Sequence, residues 1–435
     1  MAKTKRSQPL RWLRLDNAAK IYPAARRRNW SNVFRLSVSL HETVDVAVLQ
    51  SVLDRTVKRF PSMAARLRRG AFWYYLQQVS CAPPIQKEHC YPLTRMGKEE
   101  MRRCAFRVIV YRNRIAVEFF HALTDGTGAM IFLKTLTAEY LREKYAIAIS
   151  FDCGVLDISH APDKEELEDC FPKYAGRVNA SRKETNAWRL QGTPEPDNFL
   201  NLICFQLPVT EVLAQAHDYH VSMTAFLCAV LMKALLDLQA KKVPPILLQK
   251  PVKVQIPVNL RKLFPSKSLR NFAMYTIVEA DPKLGTYEIE ELCKLIHHKM
   301  GMDITPKNMG KMIATNVSAE RLLAVRLLPL PIKNLIMRTV FQVVGERKSC
   351  MSFSNLGAVR VPEEMKPYVK RFDFILGVQA TAPHNCGVVS YGDTVYVNFI
   401  RNIQETELES RFFAILRDLN IPVQVESNQW EREVP

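Results

Sequence analysis

The chain has 435 residues, 48% of them hydrophobic, which places it among soluble globular proteins and is long for one core, so two domains of about 200 residues each are expected. Sixty-one basic against 43 acidic side chains give a net charge of +18, enough to attract nucleic acid, anionic lipid or the phosphates of a ligand, and charge alone does not choose among them. No apolar run approaches the ~20 residues needed to cross a bilayer, because Lys233 interrupts the strongest one, Ala225 to Leu236.

In chain order, the basic opening Met1-Ala2-Lys3-Thr4-Lys5-Arg6 has no apolar stretch behind it, since Arg11, Arg14 and Asp16 intervene, so no signal peptide is expected. Basic and aromatic residues mix in the first 70 positions, with Arg26-Arg27-Arg28, Lys58-Arg59 and Arg66 to Arg69 beside Trp12, Trp30 and Trp73. No nucleic-acid module accompanies them, and a solvated surface is the expectation. Phe34, Leu36, Val38 and Leu40 alternate as one face of a strand, and Asp45 is placed to cap a helix carrying Val48, Leu49, Val52, Leu53 and Val57. Ala71 to Val79 follows as a strand, and Cys104 to Tyr111 and Arg114 to Phe120 form a pair joined by a short turn. A helix begins directly after, with Met130, Leu133, Thr137, Tyr140 and Leu141 in helical register. Residues 1–175 therefore read as an N-terminal subdomain, 176–198 with Thr193-Pro194-Glu195-Pro196-Asp197 as a linker, and 199–435 as a C-terminal subdomain. There, strands are expected at Leu200 to Leu207, Lys250 to Val258, Cys350 to Phe353 and Thr394 to Ile400. Helices are expected at Ser222 to Leu238 and Glu405 to Leu419, and Pro329 and Pro331 mark a helix break.

The 10 cysteines include no C-x-x-C pair, and Cys104, Cys204 and Cys228 fall inside apolar elements, which fits a reducing compartment and a cytoplasmic location. Cys81, His89 and Cys90 come nearest to a metal set but lack a fourth ligand, so no metal is expected. The segment Phe119-Phe120-His121-Ala122-Leu123-Thr124-Asp125-Gly126 carries the chemistry. It sets one imidazole where an apolar strand stops and a glycine-rich turn begins, and an imidazole of pKa near 6.5 there is a candidate base. Asp125, four residues on, is a second catalytic candidate able to hold that ring. Gly126, without a Cβ, permits a tight turn and leaves room for a ligand arm beside the histidine.

Phe120-His121-Ala122-Leu123-Thr124-Asp125-Gly126 resembles the H-H-x-x-x-D-G signature of the condensation-domain and chloramphenicol-acetyltransferase superfamily, with Phe120 in place of the first histidine. Arg59-Phe60-Pro61 followed by Arg66 is similar to that family's early R-H-P segment. Pro257-Val258-Asn259-Leu260-Arg261 with Asn271-Phe272 is similar to its P-V-x-x-R and N-F region, and Ser354-Asn355-Leu356-Gly357 to its late S-N-x-G string. The lost first histidine points towards alcohol-acetyltransferase-like members rather than peptide-forming condensation domains.

The resemblance implies two chloramphenicol-acetyltransferase-like α/β subdomains, with mixed sheets, flanking helices and an active-site tunnel between them. It implies transfer of an acyl group from acyl-CoA or acyl-pantetheine, a co-substrate rather than a bound cofactor, to a small hydroxyl or amine acceptor. In that reading His121 is the general base, Asp125 is structural and paired with Arg66 or Arg261, and Ser354 and Asn355 lie on the substrate side near the oxyanion. Two alternatives remain: a free-standing condensation enzyme served by an acidic acyl carrier protein, and a catalytically degenerate binding or scaffold protein. Three further motifs carry bland readings. His297-His298 lacks the following glycine and reads as an exposed helix end, and Gly126-Thr127-Gly128 lacks the third glycine of a dinucleotide turn. His384-Asn385-Cys386-Gly387 reads as a loop entering a strand at Val388 to Tyr391.

Overall fold

A computed structural model of the chain describes residues 11–25, 32–89, 91–178, 185–340, 346–379 and 382–429. The basic opening, Arg26-Arg27-Arg28, Trp30, Cys90 and positions 179–184 of the expected linker lie outside the described residues. Strands in chain order are β1 (Trp12–Arg14), β2 (Val33–Leu40), β3 (Ala65–Arg69), β4 (Tyr74–Gln78), β5 (Gln86–Lys87), β6 (Phe106–Tyr111), β7 (Arg114–Phe120), β8 (Asn201–Pro208), β9 (Val252–Asn259), β10 (Ala273–Ala280), β11 (Met351–Ala358), β12 (Val369–Ile375), β13 (His384–Tyr391), β14 (Thr394–Arg401) and β15 (Gln424–Ser427). The helices are α1 (Ile21–Ala25), α2 (Val46–Thr56), α3 (Lys98–Arg103), α4 (Gly126–Tyr145), α5 (Phe171–Tyr174), α6 (Val209–Asp218), α7 (Met223–Lys242), α8 (Ile289–Asp303), α9 (Pro306–Arg321), α10 (Leu323–Leu327), α11 (Leu330–Val340) and α12 (Glu407–Asp418).

These elements make two α/β lobes with mixed sheets. In the first lobe a five-stranded sheet runs β12-β2-β7-β6-β5, antiparallel apart from the β5–β6 pair. In the second a seven-stranded sheet runs β10-β9-β11-β13-β14-β8-β15, with β11 parallel to both of its neighbours. A small β1-β4-β3 sheet flanks the first lobe. β12 comes from the second half of the chain and completes the first sheet against β2, so the lobes share strands. Trp188 and Leu190, in the stretch expected to link them, are buried in the second core.

Local chemistry explains the main elements. Asp45 caps α2, its carboxylate accepting from the Ala47 and Val48 amides at 2.9 and 3.1 Å, and α2 buries Leu49, Val52 and Leu53 against α4. Ser222 caps α7 through the Ala225 amide at 3.2 Å. α7 is apolar around its whole circumference because α8, α12 and β9 all pack on it. Contrary to the expectation drawn from Lys233, it is, among the described residues, the one helix long and apolar enough to cross a membrane by length and composition, and most of it is buried inside the second lobe.

Three expectations change. β2 was expected to bury one face, yet Arg35 and Ser37 on its other face are buried too, because Arg35 meets Glu118 of β7 at 2.7 Å and Glu88 at 2.7 Å. The strand expected to begin at Val388 begins at His384, whose backbone pairs with Arg401. β12 and the hairpin partner β10 escaped the periodicity reading: β12 is buried on both sides over Phe372 to Ile375 and so loses its alternation, whereas β10 alternates in burial but carries Tyr275 and Ile277 on its more exposed face, so its letters do not alternate apolar with polar. The proline break falls where it was expected, between Leu327 at the end of α10 and Leu330 at the start of α11.

Candidate active site

His121 is the first residue past β7, and its amide donates to the Asn32 carbonyl at 2.8 Å, which holds the strand end beside the N-terminal segment. The residue before it, Phe120, is fully buried in the first core, so the position that holds a histidine in the resembling signature is a packing position here. The imidazole is half-buried. Tyr22 stacks on it with ring centroids 4.5 Å apart, and Phe34 leans against it at 4.9 Å.

The ring's tautomer follows from its partners. Asp16, fully buried, accepts from the Asn271 side-chain amide at 3.2 Å and from the Ala19 amide at 2.7 Å. The nitrogen of Asn271 thus donates to Asp16 and its oxygen faces His121, where the Nδ1–Oδ1 distance is 3.1 Å. His121 Nδ1 therefore carries the proton and donates, which leaves Nε2 as the bare, basic nitrogen. Burial pulls the imidazole below its ordinary value, while its own carbonyl, Asp125 and Asn271 pull the other way without overcoming that effect. The ring is thus neutral near neutral pH. Neither Asp16 nor Tyr22 carried a motif in the sequence. Their signal was burial of a carboxylate and a phenol, which one chain of letters does not contain.

Asp125 ends the elbow. One oxygen accepts from the Thr127 and Gly128 amides at 3.1 Å each, capping α4. The other accepts from Arg261 Nη1 at 2.8 Å and from the Phe272 amide at 2.8 Å. Arg261 also donates to the Ser268 carbonyl at 2.9 Å and the Arg270 carbonyl at 2.5 Å, so it clasps the loop that presents Asn271. Arg66 is engaged elsewhere: it lies on β3, where Nε donates to Gln77 at 3.0 Å. Arg59 likewise belongs to a buried pair with Glu166, at 2.5 and 2.7 Å.

The expectation that Gly126 leaves room for a ligand arm is corrected. A Cβ there would stand 2.8 Å from Leu356 Cδ2, so the missing carbon admits β11 rather than a ligand. Gly128 is tighter still, because a Cβ would meet the Leu269 carbonyl oxygen and Thr124 Oγ1 at 2.3 Å each. Leu356 is also the member of the Ser354-Asn355-Leu356-Gly357 string that touches the elbow. Asn355 spends its amide on Thr224 Oγ1 at 3.0 Å and its carbonyl on the Gly357 amide at 2.7 Å, where β11 shifts register. Ser354 is buried on the same strand.

Other titratable clusters have structural partners. His384 lies 3.5 Å from Glu409, which Arg401 also holds at 3.0 Å, and burial raises the neighbouring Cys386 thiol well above its ordinary value, so it is no reactive thiolate. His297 and His298 are exposed on α8. Among the described residues no group of His, Cys, Asp and Glu is arranged to hold a metal ion.

Two outcomes test this geometry without any assay of activity. Asp125→Asn removes the charge facing Arg261 inside the elbow and should cost about 3–5 kcal/mol in chemical denaturation; a stability equal to the parent would show that this pair does not hold the elbow. Nitrogen-15 imidazole shifts should report the Nδ1–H tautomer for His121, with a titration midpoint below 6.5 that falls further in Asn271→Leu, because Asn271 favours the charged ring. A midpoint above 6.5 would sink the assignment.

No protein-family model and no curated protein matches the chain by sequence. Solved structures do match. The TRI3 trichothecene 15-O-acetyltransferase from Fusarium sporotrichioides superposes with a TM-score of 0.59 at 12% identity, covering 96% of each chain. TRI101 of F. graminearum, solved with ethyl coenzyme A, gives 0.62 at 10% identity over 96% of this chain and 99% of its own. The first condensation domain of the CDA synthetase gives 0.56 at 13% identity over 94% of this chain and 95% of its own. In fold, this chain is therefore a two-lobed α/β protein similar to TRI3, TRI101 and the CDA synthetase condensation domain.

Proposed function

We propose that the chain is an acyltransferase that moves an acyl group from acyl-CoA to a hydroxyl or amine acceptor, with His121 as the base. The observation that carries this reading is a neutral imidazole held in its Nδ1–H form by Asn271, with Nε2 left to accept a proton. As the acceptor attacks the thioester carbonyl, its O–H or N–H proton passes to Nε2. The tetrahedral intermediate then collapses, the carbon–sulfur bond breaks, and the same Nε2–H returns the proton to the departing thiolate, so no acyl-enzyme forms. Asp125 serves by position: its lone pairs are committed to Arg261, Phe272 and the α4 amides. We assign the oxyanion to the Ser354 side of the site, since Asn355 has given its amide to Thr224. The fold shared with TRI101, solved with ethyl coenzyme A, and the net charge of +18, which suits a phosphate-bearing donor, support CoA as the carrier.

His121→Ala should lower turnover by ~100- to 10,000-fold while the thermal unfolding curve stays put. The acid limb of kcat/KM should fall only below the ordinary histidine value of 6.5, because a base with a lowered pKa stays deprotonated further into acid. A variant that keeps half its turnover would remove His121 from the mechanism. Donor and class separate in a second experiment. Acyl-CoA at 100 times its dissociation constant should add about 2.7 kcal/mol to stability, and added salt should weaken the effect. No shift with acyl-CoA, together with transfer from a phosphopantetheinylated carrier protein, would select the condensation enzyme; silence with both donors in binding and in thiol release would select the scaffold.

A further inference from the structure

Helices α10 and α11 present a surface outside the hydrogen-bonded assembly around His121 and Asp125. Residues 321–340 include Arg321, Arg326, Lys333 and Arg338 and no aspartate or glutamate. The inner side of α11 is pinned to the first lobe. The Leu330 amide donates to the Ala71 carbonyl at 2.9 Å, and Asn334 donates to the Tyr74 hydroxyl at 3.0 Å. Lys333, buried, donates to the Phe72 carbonyl at 2.7 Å and lies 3.6 Å over the Trp73 ring.

The outer side is apolar. Ile332, Leu335 and Ile336, at the i, i+3, i+4 spacing of one helix face, are 50%, 65% and 45% exposed. Leu327 at the end of α10 is 66% exposed, and Phe72, whose carbonyl Lys333 grips, is 45% exposed. A helix ordinarily turns such a stripe inward. Here a lysine occupies the inward side and the stripe faces out, and Arg326 and Arg338 are exposed on the same two helices.

We propose that α10 and α11 dock the protein on an anionic membrane surface. Eleven residues make α11 about 16 Å long, too short to span a bilayer and suited to lying in its plane. The apolar stripe would enter the boundary between headgroups and acyl chains, and Arg326 and Arg338 would reach lipid phosphates. Charge selects this occupant: a second copy would set these arginines and another +18 against their own kind, whereas an anionic bilayer gains from the same charge. The inference goes beyond acyl transfer and does not depend on it.

Flotation of the full chain with vesicles tests it. The protein should float with phosphatidylcholine vesicles containing phosphatidylglycerol, not with phosphatidylcholine alone, and added salt should release it. Leu335→Asp combined with Ile336→Asp should lose at least about tenfold in vesicle affinity without changing the unfolding temperature, since both side chains are exposed. Should that variant unfold, Leu335→Cys carrying an environment-sensitive fluorophore reads the same contact through a blue shift on anionic vesicles. The proposal is overturned by absence of binding at low salt, by an unchanged affinity of the double variant, by an unshifted fluorophore, or by a dimer in sedimentation that the double variant abolishes.

Discussion

One carboxylate ties this molecule together at its working end. Asp125 caps α4, meets Arg261 and accepts the Phe272 amide. A buried charge is costly unless its lone pairs find donors, and here each oxygen has two. The consequence passes along the chain. Arg261, held by Asp125, grips the carbonyls of Ser268 and Arg270, and the next residue, Asn271, is delivered to His121 in one orientation. An elbow in the first lobe and a loop after β9 of the second are thus a single polar assembly, and the imidazole's tautomer is its output.

The N-terminal segment closes that assembly from the other side. Asp16 orients Asn271, Tyr22 stacks on His121, and Asn17 donates to Glu320 at 2.8 Å, so a short stretch beside β1 touches both lobes and the site. A second buried network stiffens the sheet that carries His121. Glu118 of β7 is paired with Arg35 of β2 and Arg107 of β6, and although burial alone would raise its carboxyl, the two guanidiniums hold it below the ordinary value. The face of the five-stranded sheet turned away from α2 and α4 is therefore locked by ion pairs rather than by aliphatic packing alone. Such networks rigidify when fully satisfied.

Part of this was legible in the letters. β7, the elbow and α4 could be placed because an apolar strand, a glycine-rich turn and a helical period follow one another without a gap from Arg114 to Tyr145. Asp45 announced α2 as its cap, and the largely apolar run from Ser222 to Leu238 announced α7. His121 stood out as an imidazole at a strand end, and Arg261 was one of the two arginines that the resemblance offered as partners of Asp125. What failed to show were elements that local chemistry does not mark. β12 crosses into the first sheet from residue 369, and nothing near it in sequence says so. Arg66 and Arg261 looked equivalent until β3 gave the former to Gln77.

The sequence by itself determined the local units that periodicity and caps mark, among them β2, α2, β6, β7, α4, α7, β14 and α12, and that an imidazole stands at the end of β7. These depend on neighbours within a few residues. Tertiary structure alone decided which arginine meets Asp125, that Leu356 takes the space beside Gly126, and that Asp16 reaches across 255 positions to turn Asn271 towards the ring. The proton's place on His121 is a property of that long-range chain of hydrogen bonds, because orientation of an amide is set by what it faces in space and not by what precedes it in sequence.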